Sequence, residues 1–105
     1  MLLVTLTYLK PLTEIDALMD AHVAFLQTQF AKGTFVAAGR QLPREGGIIL
    51  ARNLTKPALT TLMQQDPFVT AGAASFVVTE FRTSLHHADF KAVADAGTRT
   101  VGTRA

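Results

Sequence analysis

The chain has 105 residues, enough for one domain with a modest core and too few for two. Ten Lys and Arg stand against eight Asp and Glu, giving a net charge of +2 with no basic run, so a phosphate-tracking nucleic-acid surface is not expected. Apolar residues make up 49% and charged ones 17%, with no cysteine; disulfide and thiolate chemistry are excluded, and a reducing cytoplasmic location is the expectation.

The opening "LLVTLTYL" sets Leu2, Val4, Leu6 and Tyr8 on one side and Leu3, Thr5, Thr7 and Leu9 on the other. That period of two predicts a strand, and without a basic flank or cleavage site the segment does not read as a signal peptide. "LTEIDALMDAHVAFLQTQFAKG" predicts a long helix, with Thr13 as its cap, Glu14 and Asp16 in the first turn and Lys32-Gly33 at its end. At about 100° per residue, Ile15, Leu18, Met19, His22, Phe25, Leu26 and Phe30 form one stripe with His22 at its centre.

"TFVAAGRQ" (34–41) and "GGIILARN" (46–53) predict a hairpin turning at Leu42-Pro43-Arg44-Glu45. "TKPALTTLMQQ" predicts a second helix capped by Thr55, with Pro57 in its first turn and Leu59, Leu62 and Met63 inward. "ASFVVTEFR" (74–82) is the fourth strand. From Thr83 the composition changes, and the reading is a C-terminal extension over 83–105: a short helix at 86–95 docking Phe90 and Val93, then a frayed tail.

The order β-α-β-β-α-β over residues 1–82 predicts an α+β, ferredoxin-like split βαβ fold, a four-stranded antiparallel sheet with its helices on one face. With Leu2, Val4, Leu6, Phe76 and Val78 under the helices, the other face carries Thr5, Thr7, Val36, Ala38, Ile49, Val77 and Phe81. So apolar a face predicts a homodimer with sheet packed on sheet. No apolar run approaches the roughly 18 residues of a membrane span.

Asp66 poses the central question of the sequence, because it follows the second helix, where a negative charge is unfavourable. In one reading Asp66-Pro67 caps a new helical turn, "PFVTAG". In the other it presents a carboxylate to His22, the ionisable group in the middle of the apolar stripe, and orients it for proton transfer. The two are compatible, since a carboxylate has two oxygens. Arg40, Arg44, Arg52 and Arg82 are possible anion holders, Arg40 foremost, and Tyr8 can offer a phenol to a pocket. Adjacent His86 and His87 do not chelate as an i, i+4 pair does, and Gly46-Gly47 precedes a strand, so neither a metal site nor a phosphate loop is expected.

"HVAFLQTQFAKGTFVAAGRQ", followed by "DPFVTAGAASFVVTEFR", resembles the YCII-related family over residues 1 to about 82. The resemblance implies a dimeric α/β barrel and carries the family's histidine and aspartate onto His22 and Asp66 as an active-site dyad. Its members include a dehydrochlorinase of a chlorinated hydroxyquinol, and the muconolactone isomerases share the architecture. Arg40 departs from the pattern, because proline commonly follows that glycine. The expectation is a cofactor-independent enzyme that uses His22 and Asp66 for isomerisation, elimination or dehydrochlorination of a small oxygenated unsaturated molecule, with Arg40 and Tyr8 contacting substrate. The alternative is a non-catalytic dimeric binding or accessory module of the same fold.

Overall fold

A computed structural model describes residues 1–101. Along the chain lie β1 (Leu2–Tyr8), α1 (Leu12–Ala31), β2 (Phe35–Arg40), β3 (Gly46–Ala51), α2 (Lys56–Met63), the single-turn α3 (Pro67–Thr70) and β4 (Ala74–Glu80). The first four strands form an antiparallel sheet in the order β2-β3-β1-β4, the ferredoxin-like split βαβ arrangement.

Local chemistry explains most of the boundaries. α1 starts one residue after Pro11, without a side-chain cap, rather than behind Thr13 as expected; proline pre-sets the backbone for a helical start and has no N–H to satisfy. It ends at Gly33, whose φ of +75° is costly for any residue with a Cβ, and Thr34 N–H closes the turn on Gln29 O at 3.1 Å. Thr55 caps α2 by accepting from Ala58 N–H at 3.2 Å, as its position predicts.

The inner face of α1 is a line of buried residues two turns apart, Ile15, His22 and Gln29, flanked by half-buried Leu18, Met19, Phe25 and Leu26. Phe30, expected on this stripe, is 40% exposed, and Gln29 takes the inward place. Beneath the helices, Leu2, Val4 and Leu6 of β1 pack with Ile49, Ala51 and Val78, closed over by Leu59, Met63, Phe68 and Phe35. Each of these side chains larger than alanine contributes about 1.5–3 kcal/mol by leaving water.

Register corrects the expected sheet faces. Val4 lies opposite both Ile49 and Val78, and Ala38 lies opposite Ile49, so Ile49 and Ala38 are on the helix side. Strand β3, "GGIILA", is apolar at every position and has no alternation from which to choose a side. Val36 sits at the irregularity in β2 pairing between Phe35 and Ala37. The open face retains Thr5, Thr7, Val77 and Phe81 and adds Leu3 and Leu50; Val77 is 65% exposed and Phe81 44%.

The segment after residue 82 differs from expectation more. No helix forms over 86–95: β5 (Leu85–His87) pairs in parallel with β6 (Arg99–Val101), with a 3-10 turn at Ala88–Phe90 between them. His86 is buried and held by the Thr98 and Thr100 hydroxyls on its two ring nitrogens, a long-range tie that overrides local helix preference. Phe90 is 36% exposed rather than docked. Of the expected frayed tail, 99–101 are paired, and 102–105 lie outside the described residues.

Candidate active site

Asp66 answers the question the sequence raised by serving both roles in one place. It is wholly buried and is the N-cap of α3: Phe68 N–H donates to its Oδ1 at 2.9 Å, and Pro67 occupies the next position. The same carboxylate meets the His22 ring, with Nδ1 2.9 Å from Oδ1 and 3.1 Å from Oδ2. The separation of 44 positions between the partners is closed by packing α3 against α1.

This geometry assigns the hydrogen to Nδ1, since a carboxylate bonded this way only accepts. Nε2 is left as the ring's other nitrogen, and among the described residues no protein group hydrogen-bonds to it. The ring is fixed from its face as well. It lies on Phe68 with centroids 3.9 Å apart and planes 12° from parallel, and Phe68 in turn meets Tyr8 edge-on at 5.9 Å. "DPF" therefore has a complete local explanation: the aspartate holds the edge of the imidazole, proline starts the turn, and phenylalanine supports the ring.

His22 lies on the wall of an open cavity of about 470 Å³ between α1 and the ends of β1, β2 and β3. That is within the roughly 300–1,000 Å³ range of small-molecule sites. Leu6, Met19, Leu26 and Phe68 supply apolar lining, and Tyr8 and Arg40 line the same space. Asp66 does not reach it and acts only through His22. Arg40, Gly47 and Leu6 stand in one cross-strand row on the helix side, which brings Arg40 to the cavity.

Two lining residues, Phe68 and Asp16, had no site role assigned from the sequence, and Arg44 was named only as a possible anion holder. Phe68 carried a signal in its place behind an Asp-Pro cap. The pairing of Asp16 with Arg44 carried none, the two being 28 residues apart, yet Arg44 Nη2 donates to Asp16 Oδ1 at 2.5 Å and ties the β2–β3 turn to α1. The Asp16 carboxylate pushes Arg44 above its ordinary value, with a smaller push from Tyr8; a guanidinium is charged in any case, so the effect is one of position. Arg52 and Arg82 lie elsewhere, donating to the carbonyls of Gly33, Ala92 and Ala96. Among the described residues no three His, Asp or Glu side chains gather as a metal site would, and no helix is long and apolar enough to cross a membrane.

Fold and site together define a ferredoxin-like α+β domain that sets one imidazole on the wall of a largely apolar cavity. The YCII-related domain model matches residues 1–82, and the chain belongs to that family. Among solved structures it is similar to 5-chloro-2-hydroxyhydroquinone dehydrochlorinase (TftG) from Burkholderia phenoliruptrix AC1100, in complex with 2,5-dihydroxybenzoquinone. The TM-score is 0.62 at 19% identity, over 79% of this chain and 95% of that one, a likeness of fold. No curated protein sequence matches.

Proposed function

We propose that this protein is a cofactor-independent acid/base enzyme in which His22 moves a proton on a small, oxygenated, unsaturated molecule. One observation carries the reading: Asp66 engages Nδ1, Phe68 supports the ring face, and the same ring, its Nε2 without a protein partner, lies on the wall of a cavity of about 470 Å³. In this role Nε2 takes a proton from a carbon next to a carbonyl, and the electron pair of the broken C–H bond moves onto the carbonyl oxygen as an enolate. The imidazolium, stabilised by Asp66, returns the proton at another carbon to complete an isomerisation. In an elimination the pair instead expels a leaving anion such as chloride, and the proton passes from His22 to water. Positioned proton transfer of this kind supplies about 10²- to 10⁴-fold of rate. Tyr8 and Arg40 contact the substrate, and the dehydrochlorinase with the similar fold acts on a molecule of this type.

Carbon-bound hydrogen exchange tests the chemistry without a known substrate. Unsaturated lactones, 1,3-diketones and halogenated hydroquinols in D₂O are followed by proton NMR with the wild-type protein and His22→Gln. Enzyme-dependent exchange that is lost in the variant supports the reading, and exchange equal in both overturns it.

A second reading, a non-catalytic binding module, is favoured by the complete burial of Asp66 and its capping of α3, which fasten α1 to the loop after α2. It predicts that His22→Gln costs stability while no carbon acid exchanges in the wild type. Under either reading a second copy is proposed to cover the open sheet face, where Val77 and Phe81 are 65% and 44% exposed.

A further inference from the structure

The proton-transfer reading leaves open what holds the far end of the substrate, and the cavity's charges address that question. Besides His22, its charged lining groups are Arg40, Arg44 and Asp16. Asp16 is committed to Arg44 Nη2, so the pair cancels and Arg40 is the uncompensated charge. Among the described residues no carboxylate comes within ion-pair distance of Arg40.

Arg44 lines the same cavity from the β2–β3 turn, but its Nη2 is taken by Asp16 and its Nε has no surface open to the cavity, which leaves Arg40 as the cation free to meet a ligand.

Arg40, Gly47 and Leu6 are cross-strand neighbours, and strands lie about 4.8 Å apart, so Arg40 starts roughly 10 Å from the β1 backbone with no side chain at the position between them.

We propose that the substrate is a small planar carboxylate, with both carboxylate oxygens on the Arg40 guanidinium and its reacting carbon beside His22. The inference rests on the proton-transfer reading for the position of the reacting carbon. The paired N–H donors of one guanidinium match the two oxygens of a carboxylate better than a single neutral hydroxyl. Asp16 orients Arg44 and at the same time prevents a second full positive charge from disfavouring the His22 imidazolium.

The test uses benzoate, 4-hydroxybenzoate and cis,cis-muconate against their neutral amides. Titrations of the full-length protein are followed by the amide resonances of Gly39, Gly47 and Phe68 and the ring ¹⁵N resonances of His22. At least one carboxylate is expected to bind about tenfold more tightly than its amide. Arg40→Gln should remove that preference, Arg40→Lys should restore part of it, and Arg99→Gln, outside the cavity, should leave it unchanged; raising the salt should weaken the carboxylate and not the amide. Equal binding of carboxylate and amide beside His22 overturns the carboxylate assignment and leaves the proton-transfer reading standing, as does a preference that survives Arg40→Gln. Failure of every carboxylate in the series to bind overturns the carboxylate assignment alone. Absence of enzyme-dependent carbon exchange overturns the proton-transfer reading and the placement that rests on it.

Discussion

Replacing Asp66 by asparagine separates the two tasks of its carboxylate, because Oδ1 serves both Phe68 N–H and His22 Nδ1 at 2.9 Å while Oδ2 faces Nδ1 alone at 3.1 Å. With the amide oxygen in the Oδ1 place, α3 keeps its cap, but the NH₂ group then confronts the Nδ1 hydrogen. The ring relieves that conflict by moving its hydrogen to Nε2, which removes the acceptor that the proposed proton transfer uses. One charge-assisted bond becomes a neutral one, at a cost of about 1–2 kcal/mol and a midpoint lower by roughly 5–12 °C. Asp66→Ala removes the cap as well and leaves two buried donors unmatched, for about 2–4 kcal/mol. The assay pairs thermal unfolding with ¹⁵N spectroscopy of the imidazole and with carbon exchange in D₂O. The expectation for Asp66→Asn is a folded protein with hydrogen on Nε2 and exchange reduced about 10²-fold or more. A stable variant that keeps Nε2 unprotonated and exchanges at the wild-type rate would reduce Asp66 to a helix cap.

Other perturbations probe separate parts of the argument. Phe68→Leu removes the ring under His22 and should cost about 1–3 kcal/mol in denaturant unfolding, while shifting the imidazole resonances now placed in its ring current. Gly46→Ala would put a Cβ 1.8 Å from Leu6 O, a backbone clash that displaces β3 and should destabilise by about 2–4 kcal/mol; unchanged unfolding would contradict the register. Thr83 N–H, and after it the N-terminal amine, hold Asp95 below the usual carboxylate range. Its contribution is present above the unfolded value near ~3.9 and disappears as pH falls through the lower folded value, so Asp95→Asn should flatten the acid limb of stability below about pH 4 and leave neutral pH little changed in slope. If a second copy covers the open face, Val77→Glu should yield monomers by sedimentation while keeping the secondary structure.

The elements over residues 1–82 were legible because local rules and tertiary demand agree there. β1 alternates cleanly, Thr55 and Gly33 mark their helix ends, and the hairpin turn is polar. The reading failed where a local pattern had no preference or a distant one overruled it. Strand β3 has apolar residues at both parities, so its face was decided only by pairing with Val4. The 83–101 segment has a plausible helical stretch, but His86 between Thr98 and Thr100 draws it into a small parallel sheet. The Asp16–Arg44 bond joins an exposed helix residue to a half-buried turn residue, places where charges are ordinary and carry no positional signal.

The site itself shows why a local motif can conceal a long-range one. An N-cap aspartate needs one oxygen for a backbone N–H, and the rest of its coordination is free to be met by water in an exposed turn. Here burial excludes that water, so the remaining acceptor capacity must find a donor within the protein or remain unmatched at a cost of about 1–3 kcal/mol. α1 supplies the donor from the one ionisable residue on its inward line, and Phe68, brought down by the same cap, closes the ring's face. Capping and orienting are consequently not competing uses of Asp66. The cap places the carboxylate at depth, and depth is what obliges it to hold His22, so substitutions that preserve the turn but change the second oxygen are the ones that isolate chemistry from folding.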